Sequence, residues 1–153
     1  MMAVAGCTPK PQSPVQPQVN VYFCKVGSDA LVPTPFSVDK SLEGSRLENA
    51  LVAQLLAGPA VPTSTVVQFP PGTSATVDLS GDLATVDLNG SIAKSYRGGA
   101  SDEIGLFKSL TYTVTSVSGI ARVQVTIAGR KVPTLPGGEF EIDEPLTRET
   151  FAQ

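Results

Sequence analysis

Alternating apolar and polar residues at the middle of the chain, between positions 74 and 89, predict a β-hairpin. The alternation is interrupted once, by the turn signal Ser80-Gly81-Asp82, and then resumes. Period-two patterning on both sides of a Gly-Asp turn is typical of a hairpin with one buried and one solvated face. The predicted buried face consists of Ala75, Val77, Leu79, Ala84, Val86 and Leu88. A shift of one residue would bury Asp78 and Asp87, so the register is well specified.

A helix is predicted on the N-terminal side of the hairpin. Ser45 and Glu48 have the spacing of a capping box, in which Ser45 caps the helix and Glu48 reaches back to the first turn. Gly58 followed by proline is a typical helix end. The predicted core face consists of Leu47, Ala50, Leu51 and Leu55. Glu48 and Asn49 are expected to belong to the solvated face.

A second helix is predicted on the C-terminal side, with Ser101 as its N-cap. Asp102 and Glu103 then lie in the first turn, where acidic residues favourably oppose the helix dipole. The apolar stripe of this helix consists of Ile104, Phe107, Leu110, Val114 and Val117. Residues 111–118 are rich in β-branched side chains, which are weak helix formers, so packing must hold this part. Gly119 is expected to close the helix.

Strand-like runs lie outside the two helices and next to the hairpin. These runs are 19–25, 30–32, 65–69, 121–127 and a short edge strand at 139–142. Pro33 and Pro35 confine the second run to a sheet edge. Leu146 is expected to dock on the core with Arg148 beside it, and the end of the chain to fray. The pattern predicts a single α+β domain of roughly β-α-β-β-α-β order, a mostly antiparallel sheet with two helices packed on it.

The start of the chain carries the signals of a lipoprotein. Val4-Ala5-Gly6-Cys7 resembles the lipobox, in which small residues precede a lipidated cysteine. Prolines at 9, 11, 14 and 17 favour an extended polyproline-like tether. We expect residues 1–6 to be the remnant of a lipoprotein signal peptide, 7–18 to hold the lipidated Cys7 and its tether, and 19–153 to form the domain. A chance Ala-Gly-Cys is the alternative.

Composition narrows the classes of function. Of the 153 residues, 41% are apolar and 16% are charged, the net charge is −3, and the basic residues are scattered, which argues against nucleic-acid binding. The sequence has no histidine, the commonest general base and zinc ligand. Its two cysteines exclude a dense disulfide scaffold. A Cys7–Cys24 bridge remains open, although Cys24 on a strand is more often a small buried apolar residue.

Several short motifs in this order resemble the GerMN domain, which recurs in many bacterial lipoproteins. They are Val21-Tyr22-Phe23, Leu31-Val32-Pro33, LLAGP at 55–59, FPPGT at 69–73, ATVDL at 84–88 and Leu146-Thr147-Arg148. The resemblance implies a membrane-anchored, extracytoplasmic domain without catalysis or cofactor. In sporulating relatives such a domain supports a protein complex between two membranes, and its fold is similar to ring-building modules of secretion machines.

The leading functional hypothesis is a lipid-anchored interaction module of the cell envelope. It would dock a protein partner, or a second copy of itself, through the solvated hairpin face or a sheet edge. Strand addition needs an unpaired edge, and the Pro33/Pro35 run and the Phe140 segment are candidates for blunted or open edges. In this hypothesis the protein reaches the membrane through the lipid on Cys7.

Two other classes of function are open to the sequence. Asp78, Asp82 and Asp87 lie close together around the hairpin, and carboxylates are ligands for hard cations such as calcium, so a cation- or small-ligand-binding lipoprotein is the alternative. Enzymatic roles could be sought in Ser95 with Lys94, or in Tyr96 with Arg97. Neighbouring residues normally point apart, however. Gly98-Gly99 before a helix invites a phosphate cradle, which the acidic first turn opposes.

Overall fold

The computed structural model describes residues 18–60 and 65–152, which contain five strands, two α-helices and a short 3₁₀ helix. In chain order the elements are β1 (Gln18–Cys24), β2 (Leu31–Ser37), α1 (Gly44–Ala57), β3 (Thr73–Ser80), β4 (Leu83–Gly90), α2 (Ala100–Val114), β5 (Arg122–Ile127) and the 3₁₀ helix η1 (Arg148–Phe151). The predicted α+β class is confirmed, with β1 and β2 as an opening hairpin. Cys7 and nearly all of the predicted tether lie outside the described residues.

The central hairpin forms in the predicted register. Strands β3 and β4 pair antiparallel with Val77 opposite Val86, and both valines are buried. Strand β5 then adds to β4 in parallel. A parallel pair needs a crossover connection, and α2 supplies it. The core face of this three-stranded sheet consists of Val77, Ala84, Val86, Leu88, Val123, Val125 and Ile127, all buried.

Strands β1 and β2 form a separate antiparallel two-stranded sheet, because α2 packs against the other edge of β1. Hydroxyl groups from α2 and the turn after it take the place of a third strand. The bonds run from Cys24 N–H to Ser109 Oγ (3.0 Å), from Tyr22 N–H to Thr113 Oγ1 (2.9 Å) and from Ser116 Oγ to Asn20 C=O (3.3 Å). Ser109 and Thr113 are four residues apart on the helix, a rise of about 6 Å, and Cys24 and Tyr22 are two residues apart on the strand, a rise of about 6.6 Å. The hydroxyl groups therefore match the spacing of the amides that they accept from. We call these three side chains the hydroxyl ladder.

The predicted capping box of α1 is wrong. The helix starts two residues earlier, with Glu43 rather than Ser45 at the N-cap position and without a side-chain cap. Glu48 lies instead on the buried face, together with Leu51, Val52 and Leu55, and is fully inaccessible to solvent. Packing of that face on the sheet outweighs the local capping pattern. The predicted helix end at Gly58 is confirmed by its positive φ of 83°.

Helix α2 also starts earlier than predicted, with Gly99 rather than Ser101 at the N-cap position. It ends at Val114, before Gly119. Thr115 donates its hydroxyl to the Thr111 carbonyl (2.7 Å), and Ser116 shares its one hydroxyl proton between the Thr113 carbonyl (2.7 Å) and the Asn20 carbonyl (3.3 Å). The bonds within the last turn compete with further helix. Ile104 was predicted for the buried stripe, but its side chain is 42% exposed.

Two predicted strands do not form. In the run 65–69 a single antiparallel bridge joins Val66 to Lys25, because α2 already covers the rest of that edge of β1. The run 139–142 is irregular: Ile142 N–H donates to the Pro133 carbonyl (2.8 Å), which is outside the sheet. Leu146 does dock on the core, as predicted. The chain end does not fray before residue 152, since residues 148–151 form η1.

Candidate functional site

The edge of β2 was a candidate for a blunted or an open edge, and its backbone favours the blunted one. The Tyr22 and Cys24 amides bond to α2, so the backbone groups of these residues point away from β2. In an antiparallel pair, the residue opposite such a residue also turns its backbone groups away from its partner strand. Pro33 lies opposite Tyr22 and Pro35 opposite Asn20, so both prolines lie on the outer edge of β2. Proline has no N–H to donate. The predicted edge position of the two prolines is confirmed, and it blunts the edge against an incoming strand.

The edge of β3 is occupied at its centre by α1. The Asn49 side chain donates Nδ2 to the Val77 carbonyl and accepts the Val77 N–H at Oδ1, both at 2.9 Å. An amide side chain thus mimics the pairing of a neighbouring strand. The expectation that Asn49 belongs to a solvated face is wrong, because this residue is half-buried against the sheet.

The outer edge of β5 is covered by the segment that follows it. Leu146 and Val123 exchange both backbone hydrogen bonds, at 2.7 and 2.9 Å. The buried Gln124 side chain also donates to the Ile142 carbonyl (3.1 Å). In the described part of the chain, the sheet edges are therefore covered or blunted at these points.

The solvated hairpin face carries the three carboxylates considered for a cation. Asp87 accepts hydrogen bonds from Thr126 Oγ1 (2.7 Å), the Gly129 N–H (2.7 Å) and Asn89 Nδ2 (2.6 Å). Partial burial alone would raise the pKa of Asp87, but these bonds outweigh it and lower the pKa. Asp87 is thus already satisfied by donors of the fold.

Asp82 is also engaged, because it forms a bidentate pair with Arg122 on β5 (2.7 and 3.1 Å). The hydrogen bond from Arg122 lowers the pKa of the Asp82 carboxyl. Asp78 is exposed on the face of β3. Within residues 18–60 and 65–152, no group of three acidic, cysteine or histidine side chains could hold a metal ion.

Of the residues considered for catalysis, Ser95, Tyr96 and Arg97 line one surface hollow of about 390 Å³. Lys94, Ser95 and Arg97 are exposed on the loop after β4, whereas the Tyr96 side chain is buried. The Tyr96 N–H donates to the Pro136 carbonyl (2.7 Å), which holds the residue against the fold. Burial, with a smaller effect of nearby Asp102 and Glu103, raises its pKa to about 12. Its hydroxyl therefore stays protonated at neutral pH.

Cys24 is a buried residue of β1, as predicted. Its thiol lies 3.3 Å from the Ser28 carbonyl, to which it donates, and only 1% of the residue is exposed. Burial raises the pKa of the thiol, which disfavours the reactive thiolate.

A surface groove lies where α2, the turn between β1 and β2, and the C-terminal segment meet. Three adjoining hollows of about 280, 210 and 180 Å³ share Ile104 in their walls. We call this surface the Ile104 groove; its main walls are Asp29, Glu103, Ile104, Lys108, Phe140 and Phe151. The Phe140 ring stacks between Phe107 (5.4 Å) and Phe151 (5.7 Å), which holds the apolar wall in place.

Acidic side chains surround the Ile104 groove. A fourth hollow of about 490 Å³ adjoins it at Phe140 and includes Glu139, Glu141, Asp143 and Glu144 in its walls. With Asp29 and Glu103, six acidic residues line the four hollows against one basic residue, Lys108. The Lys108 ammonium is mostly buried and donates to the Asp29 carbonyl (2.6 Å).

The sequence interpretation identified only part of this groove. It placed Phe140 in a candidate edge, but it assigned Ile104 to the core. The usable signal was the acidic run from Glu139 to Glu144 with one phenylalanine and one isoleucine inside it. Its position opposite Ile104 depends on tertiary packing, which short-range patterns do not contain.

The fold and these surfaces define a small α+β module whose described sheet edges are partly covered by its own helices and loops or blunted by proline. A family model described as "Germane: Sporulation and spore germination" matches residues 20–133. The chain therefore belongs to this family of GerMN-type domains, as the sequence motifs indicated.

Solved structures share the fold. The first GerMN domain of the sporulation protein GerM from Bacillus subtilis superposes with a TM-score of 0.68 at 22% identity, covering 86% of this chain and 98% of that chain. The tandem GerMN domains of the same protein give 0.69 at 22% identity, covering 89% of this chain and 48% of that one. A candidate lipoprotein from Clostridium perfringens gives 0.62 at 20% identity, covering 86% and 89%.

A comparison with curated proteins finds no match to this chain. Neither α-helix in the described ranges is long and apolar enough to cross a membrane.

Proposed function

We propose that this protein is a non-catalytic, lipid-anchored module of the cell envelope that binds other proteins, as a scaffold or assembly factor. The observation that carries the proposal is membership of the GerMN-type family across residues 20–133, preceded by a lipobox-like Ala-Gly-Cys at residues 5–7 and a short proline-rich segment. The similarity in fold to a candidate lipoprotein from Clostridium perfringens supports the anchor. In this proposal Cys7 carries the lipid, and the domain lies outside the cytoplasm.

The geometry of the candidate catalytic residues supports a binding role over an enzymatic one. The Tyr96 side chain is mostly buried, which raises the pKa of its hydroxyl, and Ser95 is exposed on a loop. A nucleophile needs a base within hydrogen-bond reach. The fold similarity to domains of GerM, a sporulation protein, is compatible with a role in assembly.

The proposal is tested by crosslinking in living cells that produce the full-length protein, followed by recovery from detergent-solubilised membranes. A Cys7→Ser variant is compared with the wild type, and Thr8→Ser serves as a matched control beside the lipidation position. We expect the wild type and the control to be recovered from membranes with a reproducible partner or a ladder of self-crosslinked species. Mass spectrometry should find a lipid on Cys7.

Recovery of the wild type as a soluble, uncrosslinked protein would contradict both the anchor and the adaptor role. Membrane association that persists in Cys7→Ser would contradict the lipid on Cys7 alone.

A further inference from the structure

We infer that the Ile104 groove is the docking site for a partner segment that carries one large apolar side chain flanked by lysine or arginine. The inference rests on the proposed function and adds to it the binding face and the chemistry of the partner. The inferred docking site is thus a surface of side chains and not one of the sheet edges, which the fold covers or blunts.

The apolar part of the groove is suited to an anchoring side chain. Ile104 is 42% exposed although it lies in a helix whose next residues, Gly105 to Leu110, are buried. Across the groove the Phe140 and Phe151 rings are held in a stack, so the wall does not have to order on binding. Preformed apolar hollows that seat one large side chain are typical centres of protein interfaces.

The negative charge of the groove favours a partner of positive charge. Six acidic residues and one basic residue line the four adjoining hollows. The basic residue, Lys108, has its ammonium turned to a backbone carbonyl and is only 8% exposed. A basic partner is attracted, whereas an anionic membrane surface or a nucleic acid is repelled.

Glu103 provides an independent indication of a cationic ligand. Its side chain lines the hollow of about 210 Å³ and is 99% buried. Oε2 accepts the Glu139 N–H at 2.8 Å, but Oε1 has no hydrogen-bond partner among the described residues. A buried carboxylate oxygen without a donor is costly. A lysine or arginine side chain that enters this hollow would supply the missing donor.

The test is a peptide-display selection with a random library against the full-length protein. Enriched peptides are then synthesised, and their affinities are measured by fluorescence anisotropy at low and high salt. We expect an apolar residue flanked by lysine or arginine, with affinity that falls as salt rises. Replacing Ile104 with serine should weaken binding roughly tenfold or more, because the apolar contact is lost.

Val26→Ser is the matched control, because Val26 is also a large exposed apolar residue (50%) but lies outside the groove. It should bind the peptides as the wild type does. Charge reversal of the rim, as Glu139→Lys with Glu141→Lys, should abolish binding of basic peptides while the thermal unfolding of the protein stays cooperative.

Enrichment of acidic or uncharged peptides, no enrichment, or equal binding by Ile104→Ser would overturn the inference. Sedimentation over a range of concentrations adds another decisive result: self-association that Ile104→Ser removes would make a second copy of the chain the occupant. These results are independent of the membrane experiment. An anchored protein that recovers a cell-envelope partner but fails the peptide test keeps the proposed function and binds through another face.

Discussion

Replacing Glu48 with glutamine should remove a pH dependence of stability that the buried carboxyl imposes on the folded chain. Glu48 lies on the core face of α1, fully inaccessible to solvent, and neither of its oxygens has a hydrogen-bond partner within the described residues. Burial raises its pKa from 4.5 to about 8. The folded protein therefore holds this proton across a pH range in which the unfolded chain has lost it.

The sign and size of the effect follow from linkage. Stability is greatest below the unfolded pKa of 4.5 and falls as pH rises toward the folded pKa of about 8. At about 1.4 kcal/mol per pKa unit, the full loss is about 5 kcal/mol, of which about 3 kcal/mol is reached at pH 7. A glutamine side chain at this position would be neutral at every pH, so Glu48→Gln should resemble the wild type near pH 5 and be more stable by about 3 kcal/mol near pH 7.

Urea unfolding of both proteins at a series of pH values measures the effect. Glu144→Gln, which changes an exposed glutamate, is the matched control and should keep the wild-type slope. A wild-type free energy of unfolding that stays flat between about pH 5 and pH 8 would refute the reasoning. An unchanged slope in Glu48→Gln would do the same.

Three further substitutions test other contacts by urea unfolding. Asn49→Ala removes both hydrogen bonds to the edge of β3 and should cost about 1–3 kcal/mol; a neutral result would mean that the edge needs no cover. Thr113→Val removes one hydroxyl-ladder bond and should destabilise by about 1 kcal/mol, whereas Thr111→Val, whose buried hydroxyl has no described partner, should be neutral or stabilising. Gly138→Ala should cost about 1–3 kcal/mol, because the added Cβ would overlap the buried Glu103 carboxylate. Gly99→Ala should not carry this cost, because the space around Gly99 is open.

Elements with short-range periodicity could be predicted from the sequence. The hairpin register is set by strict alternation, and a shift would bury Asp78 and Asp87. The sequence predicted helix α1 and its end at Gly58 correctly. The predicted start was wrong, because it relied on a local capping pattern that tertiary packing overrides. The buried position of Glu48 shows the limit of such patterns, since nothing in the sequence indicates that a carboxyl can be held in the core.

Features that join distant segments could not be predicted in the same way. In the sequence, Ser109, Thr113 and Ser116 of the hydroxyl ladder are four and three residues apart, which is the spacing of one helical face. The same stretch, however, is rich in residues that are weak helix formers. Their role appears only when β1 lies alongside, some 90 positions away. The Ile104 groove likewise needs three separate segments, so the sequence suggested the Phe140 wall and missed Ile104.

The hydroxyl ladder also has a mechanical consequence. Force that enters the domain from residues before β1 pulls along this strand. On one side β1 pairs with β2 over seven residues, and on the other side the hydroxyl ladder ties it to α2. Traction parallel to the strand loads the bonds of both sides together in shear, instead of opening them one at a time as in peeling. The domain should thus resist extension best when it is held by the end that precedes β1.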